Sequence, residues 1–330
     1  SPSPAIPSMM DCMSPSSGSP ARVVFMGSPE FAVPSLRSLV ASGVPVVAAV
    51  TQPDRPAGRG GRTQQPPVKL AALELRIPVL QPESLRDEAV HASLRALAAD
   101  LFVVAAYGKI LPQAVLDIPR YGCLNVHASL LPRWRGASPI SSAILAGDSV
   151  TGVSIMKLVR KMDAGPVISR VETPVLPDDT TGTLEPRLAA LGASELIRVL
   201  PGWISGQLHA VPQDEAPATY CQLIAKNDGH LRAAMTAGEA ARAVRAFNPW
   251  PGAFVLHRSE RLAIWRARVE PGEQSLPTGS TTLIGRSPAI AFPGGWLALE
   301  EVQRPGGKRL TGEQFLAGER GHLESTVGLR

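Results

Sequence analysis

The chain has 330 residues, 44% of them hydrophobic and 5% aromatic, and a net charge of +5. That length suits two domains with largely aliphatic cores, and the mild basicity is compatible with an anionic partner. No apolar run is long enough to span a membrane. The three scattered cysteines, Cys12, Cys123 and Cys221, form no zinc spacing and fit a reduced, cytoplasmic compartment.

Residues 1–20 are rich in Ser and Pro, lack the charged start and apolar core of a signal peptide, and read as a disordered leader. Residues 22–26 are an apolar run ending at Gly27, the pattern of a buried strand; 31–40 has helical spacing and 46–51 reads as a second strand. A Pro/Gly/Arg loop over 52–69 leads to a helix over 71–76 and an extended segment over 77–80. Ser84, Asp87 and Glu88 open a helix over 89–98, and 101–106 and 123–127 are further strands. A helix over 137–146 stops at Gly147, strands follow at 151–158 and 167–171, and 184–200 is a long amphipathic helix. Strands alternating with helices predict an α/β fold with a doubly wound, mainly parallel, Rossmann-like sheet. Residues 207–222 have little periodicity and read as a linker. A helix over 238–247 precedes five short strands at 253–257, 262–268, 281–284, 289–292 and 296–302, which predict a small OB-like β-barrel. The expected domains are therefore 21–206 and 223–330.

Asn125 and His127 stand two apart at the end of the 123–127 strand, so both side chains project from one face. An amide can donate to a developing oxyanion and an imidazole can move a proton near neutral pH, a pairing suited to acyl-type transfer to an amine. A histidine at a strand end is also a common structural residue. The long Gly/Pro-rich connection that follows, from Ser129 to Pro139, tips the reading, because open α/β sheets place ligands at the carboxyl ends of strands. A second element, Met162-Asp163-Ala164-Gly165-Pro166, is either a simple Asp-Gly turn or a carboxylate that reaches and orients His127. A third, over 51–62, is long for a strand-to-helix connection, where about 2–6 residues is usual. It reads either as a solvated loop or as a basic finger for phosphates carried by Arg55, Arg59 and Arg62, with Lys69 beyond. Gly27-Ser28-Pro29-Glu30 lacks the glycines of a dinucleotide site, and Walker A, HExxH and GxSxG patterns are absent. Nicotinamide, ATP, zinc-hydrolase and serine-hydrolase chemistries therefore lose their usual support.

Asn125-Val126-His127-Ala128-Ser129-Leu130-Leu131-Pro132, Arg135-Gly136 and Asp163-x-Gly165 together resemble the folate-dependent formyltransferases. The segments 51–60 (TQPDRPAGRG), 104–112 (VAAYGKILP), Leu130 to Gly136 with Trp134, and 245–251 (RAFNPWP) resemble the branch of that family acting on the methionine of initiator tRNA. The likeness runs from about residue 22 to beyond Leu310. It implies formyl transfer from 10-formyltetrahydrofolate, a co-substrate that arrives activated, so that no metal is needed. It implies a catalytic set of Asn125, His127 and Asp163, and folate contacts from Ser129, Leu130, Leu131, Pro132, Tyr107, Gly108 and Gly165. The implied tRNA contacts are Arg55, Arg59, Arg62 and Lys69, with Arg59 on the family's key arginine and the 223–330 domain along the tRNA backbone. The expected agent is a monomeric, cytoplasmic enzyme of translation initiation with no membrane partner. The chain departs from the family pattern around Lys226-Asn227-Asp228-Gly229-His230-Leu231, where an acidic run leading to Asp-Trp is commoner. Alternatives that share the catalytic residues are a formyltransferase for a small amine such as a sugar nucleotide, a formyl-folate hydrolase, and a non-catalytic RNA-binding protein on the same scaffold.

Overall fold

The computed structural model describes residues 20–57, 62–272, 276–319 and 324–330; nearly all of the expected leader, and the tip of the basic loop with Arg59, lie outside these residues. Among the described residues a seven-stranded sheet has the order Val79–Leu80, Val46–Val50, Val23–Gly27, Leu101–Ala105, Cys123–His127, Val150–Lys157 and Val167–Pro174. Its first five strands are parallel. Val150–Lys157 alone runs against the others, pairing antiparallel with both neighbours. Chain order reverses between Val23–Gly27 and Leu101–Ala105, so a crevice opens beyond their carboxyl ends.

Alternation along each strand fills two layers. Val23 and Phe25 pack with Leu36, Leu39 and Leu188 on one face, and Val24 and Met26 pack with Leu94 and Phe102 on the other. Each such side chain taken fully from water contributes about 1.5–3 kcal/mol, which is why an apolar run with helices on both sides becomes a central strand. The site strand obeys the same rule. Leu124 and Val126 join the first layer, beside the helix Thr181–Ile204, while Cys123 belongs to the other. Asn125 and His127 share the face of Cys123.

Several expected elements differ, the helix expected over 184–200 running from Thr181 to Ile204. The helix expected over 71–76 is Pro67–Glu74, starting early because Pro67 is preorganised for the first turn and has no N–H to leave unpaired. The basic loop is a small hairpin, with Arg55–Ala57 antiparallel to Arg62–Gln64.

The second unit contains the five expected strands and a sixth, Arg309–Thr311, which pairs with Gly295–Gln303. Its outer strands, Ala253–His257 and Thr281–Ile284, are joined through the chain's last described residues. Leu256 exchanges backbone hydrogen bonds of 2.9 and 2.7 Å with Gly328, while the Thr281 N–H donates to Ser325 O at 3.0 Å. The tail thus covers both sheet edges, which would otherwise present unpaired donors and acceptors. The helix Ala237–Ala246 packs Ala240 and Ala243 into this core and presses against the helix Pro139–Ala146 of the first unit. Arg242 Nε donates to Leu145 O at 2.9 Å and Arg245 Nη1 to Asp179 O at 3.0 Å. At the segment that departs from the family pattern, Lys226–Gly229 is a short 3-10 helix, Leu231 is fully buried, and His230 stacks on Phe254 at 4.7 Å. No helix among the described residues is long and apolar enough to cross a membrane.

Candidate active site

Asn125 and His127 open onto a cleft of about 780 Å³ whose lining also includes Asp163, Tyr107, Gly108, Ile140, Glu185 and Trp250. Asn125 is 8% exposed, and among the described residues its amide makes no hydrogen bond, which leaves both N–H groups for a ligand. His127 Nε2 lies 2.9 Å from Trp134 O. A carbonyl oxygen only accepts, so Nε2 carries the proton and Nδ1 is the nitrogen free to exchange one. Nδ1 faces Asp163 Oδ2 at 3.8 Å, too far for a hydrogen bond but close enough for the carboxylate to favour one ring orientation.

Asp163 is held by two hydrogen bonds. Its backbone is in the left-handed region at φ 47°. Its Oδ2 accepts from the Gly136 N–H at 2.9 Å, and its carbonyl accepts from Gln213 Nε2 at 2.8 Å. Gly136 and Gly165 permit this arrangement. A Cβ on Gly136, at φ +115°, would lie 2.2 Å from Cys221 O, and one on Gly165 would lie 1.8 Å from Lys157 O.

The segment expected to be only a linker supplies much of this support. Tyr220–Cys221 pairs in parallel with Arg135–Gly136, and Val211 bridges Val167. Arg135, fully buried, is clamped by Gln213 Oε1 at 2.9 Å, Glu215 Oε1 at 2.9 Å and the Tyr220 hydroxyl at 3.0 Å. Hydrogen bonds from Arg135, then from Lys161, hold the Glu215 carboxyl down to about 2 from its usual 4.5. A carboxyl that ionises more readily when folded stabilises above its unfolded value and ceases to as pH falls. The melting temperature is accordingly expected to drop between pH 4.5 and about 2, and to drop less in Glu215→Gln, as a pH series of thermal melts would read.

Of the other residues singled out in the sequence, Tyr107 and Gly108 line the cleft. The Tyr107 hydroxyl is buried with no hydrogen-bond partner, and burial pushes its pKa up to about 12. Ser129, Leu130, Leu131, Pro132 and Gly165 are not part of the lining. Ser129 Oγ donates to Arg133 O at 2.6 Å, and Ser154 ties Ser129 O and the Leu131 N–H together at 2.7 and 3.0 Å. Their polar groups are spent on fixing the loop. Arg55 is exposed on the hairpin. Lys69 is not free for a phosphate, because Asp54 Oδ2 holds it at 2.6 Å and the pair is largely covered. Residues that sequence reasoning missed are Gln213 and Glu215, which carry no motif, and Glu185, one helical turn beyond Thr181. Burial, then the nearby Glu30, pushes the Glu185 carboxyl up.

The formyl transferase family matches residues 21–200, and its C-terminal domain matches residues 223–320. The methionyl-tRNA formyltransferase of Methylococcus capsulatus is 48% identical over 295 residues, covering 89% of this chain and 96% of that one. That of Aromatoleum aromaticum is 48% identical over 301 residues, covering 91% and 94%. Among solved structures, an N-formyltransferase from Helicobacter canadensis in complex with folinic acid and dTDP-3-aminofucose has a TM-score of 0.65 at 14% identity, covering 87% of this chain and all of that one. A sugar N-formyltransferase from Shewanella has a TM-score of 0.59 at 17% identity, covering 77% and 99%. Such low identities speak for the fold, whereas the near-complete overlap at 48% speaks for the family. The chain belongs to the formyl transferase family, in its methionyl-tRNA formyltransferase branch.

Proposed function

We propose that the chain transfers the formyl group of 10-formyltetrahydrofolate to the α-amine of methionine carried by initiator tRNA, giving N-formylmethionyl-tRNA. The observation that carries this reading is Asn125, His127 and Asp163 converging on one cleft in a chain so similar to methionyl-tRNA formyltransferases.

The amine attacks the formyl carbon and the carbonyl π pair moves to oxygen. The Asn125 amide donates to that oxygen. As the bond from carbon to N10 of the folate breaks, the amine's proton passes to N10, through His127 Nδ1 or a water held by Asp163. The attacking group must arrive deprotonated, and the carboxylate that orients His127 keeps the ring aimed at the exchange path.

The folate pterin lies against the Tyr107–Gly108 turn. Ser129 to Pro132 and Gly165 act as the frame of this pocket. The basic loop, through Arg55 and Arg62 on the hairpin strands and through Arg59, which lies outside the described residues, takes the phosphates of the acceptor arm, and Lys69 braces its base through Asp54. The second unit tracks the tRNA backbone, and the enzyme works as a cytoplasmic monomer.

The deciding assay presents 10-formyltetrahydrofolate with initiator and elongator methionyl-tRNA side by side. Strong preference for the initiator is expected. Transfer to neither from folded protein, or transfer to a sugar-nucleotide amine instead, would overturn the reading.

A further inference from the structure

Trp250 is 57% exposed although it belongs to the lining of the reaction cleft. An indole left this open beside a reaction site forgoes burial that a side chain of its size would ordinarily contribute. The turn that carries it is stiff. Pro249 and Pro251 flank it, the Arg261 guanidinium donates to Pro251 O at 2.8 Å, and Asn248 Nδ2 donates to Trp265 O at 3.1 Å. The turn also touches the first unit, since the Gly182 N–H donates to Asn248 O at 3.0 Å. On the same face as Thr181 stands Glu185, which among the described residues makes no hydrogen bond or ion pair and which has Glu30 near it. An aromatic face close to a carboxyl with no partner of its own among those residues suits a nucleobase whose exocyclic amine can donate to it.

We propose that Trp250 is the stacking platform for the terminal base of the acceptor tRNA, the unpaired nucleoside whose ribose carries the methionine. This rests on the functional reading above and adds to it a subsite and its ligand chemistry. The base lies flat on the indole with its amine turned toward Glu185. The esterified amino acid then extends along the cleft to Asn125 and His127. Stacking here fixes where the amine arrives, and it does not touch the formyl donor.

The test varies methionyl-tRNA and formyl donor separately for wild type, Trp250→Ala and Trp250→Phe. A base–aromatic stack is worth about 1–3 kcal/mol, so Trp250→Ala should raise KM for methionyl-tRNA about 5- to 150-fold. Its KM for 10-formyltetrahydrofolate should be unchanged, and Trp250→Phe should recover most of the loss. A tRNA with 2-aminopurine at its 3′ end should lose fluorescence on binding wild type and not on binding Trp250→Ala. An unchanged tRNA KM in Trp250→Ala, an equal rise for both substrates, or no quenching by wild type would overturn the subsite. If wild type itself transfers no formyl group to methionyl-tRNA, it is the functional reading that fails.

Discussion

Asn125→Ala is expected to lower kcat by about 10²–10³ while leaving the fold intact, since one oxyanion donor is worth that much where water is excluded. The structural argument for a clean result is the amide's lack of any partner among the described residues. Removing it orphans no buried group, and Leu124 and Val126, which anchor the strand, face the opposite layer. KM for methionyl-tRNA should move little, because the amide acts on charge that develops only in the transition state. This is the reverse of the effect expected at Trp250, so the two variants separate chemistry from binding. A steady-state comparison with a thermal melt would check it. Near-wild-type kcat from folded Asn125→Ala would remove the residue from the catalytic set.

Gly136→Ala is expected to be worse overall, because it strikes both the fold and the chemistry. At φ +115° an L side chain is strained whatever the space, and its Cβ would meet Cys221 O at 2.2 Å. Residues forced into such backbone regions cost about 1–3 kcal/mol before any collision is counted. Relief requires Arg135–Gly136 to part from Tyr220–Cys221. That also moves the N–H which holds Asp163 Oδ2 at 2.9 Å. A displacement of about 1 Å at a positioned group can lower the rate by about 10². Denaturant unfolding should record lost stability, and kcat should fall by about that factor in whatever protein remains folded. Unaltered kcat would mean that the Gly136 clamp on Asp163 has no bearing on turnover.

Much of the layout was legible residue by residue. The strand Cys123–His127 has the expected bounds, as do Ala253–His257 and Thr281–Ile284, because continuous or alternating apolar runs bounded by turn residues are local signals. Asn125 and His127 could be placed on one face for the same reason, since strand periodicity needs no knowledge of the partner strands. The hairpin in the basic loop was less legible. Its strands are three residues each, too short for a pattern, and contain Pro56. The strand Arg309–Thr311 went unread for the same reason of length. The reversed direction of Val150–Lys157 has no local signature either, because a buried run reads alike whichever way it pairs.

The chemistry of the site is thus written in short segments: an amide and an imidazole two apart, an Asp before a glycine, and a proline-stopped turn between them. What only the tertiary structure decided is how those segments meet. Asp163 comes within 3.8 Å of His127 because Gln213, fifty residues further on, grips its carbonyl, and Gly136 grips its carboxylate. Gln213 and Glu215 sit in a stretch whose composition reads as a connection, yet they close around a buried arginine. Local sequence sets backbone preference and the side chains on offer. Hydrogen bonds between segments far apart in the chain exist only once the sheet and its crossovers have brought them together, and these set the distances on which proton transfer depends.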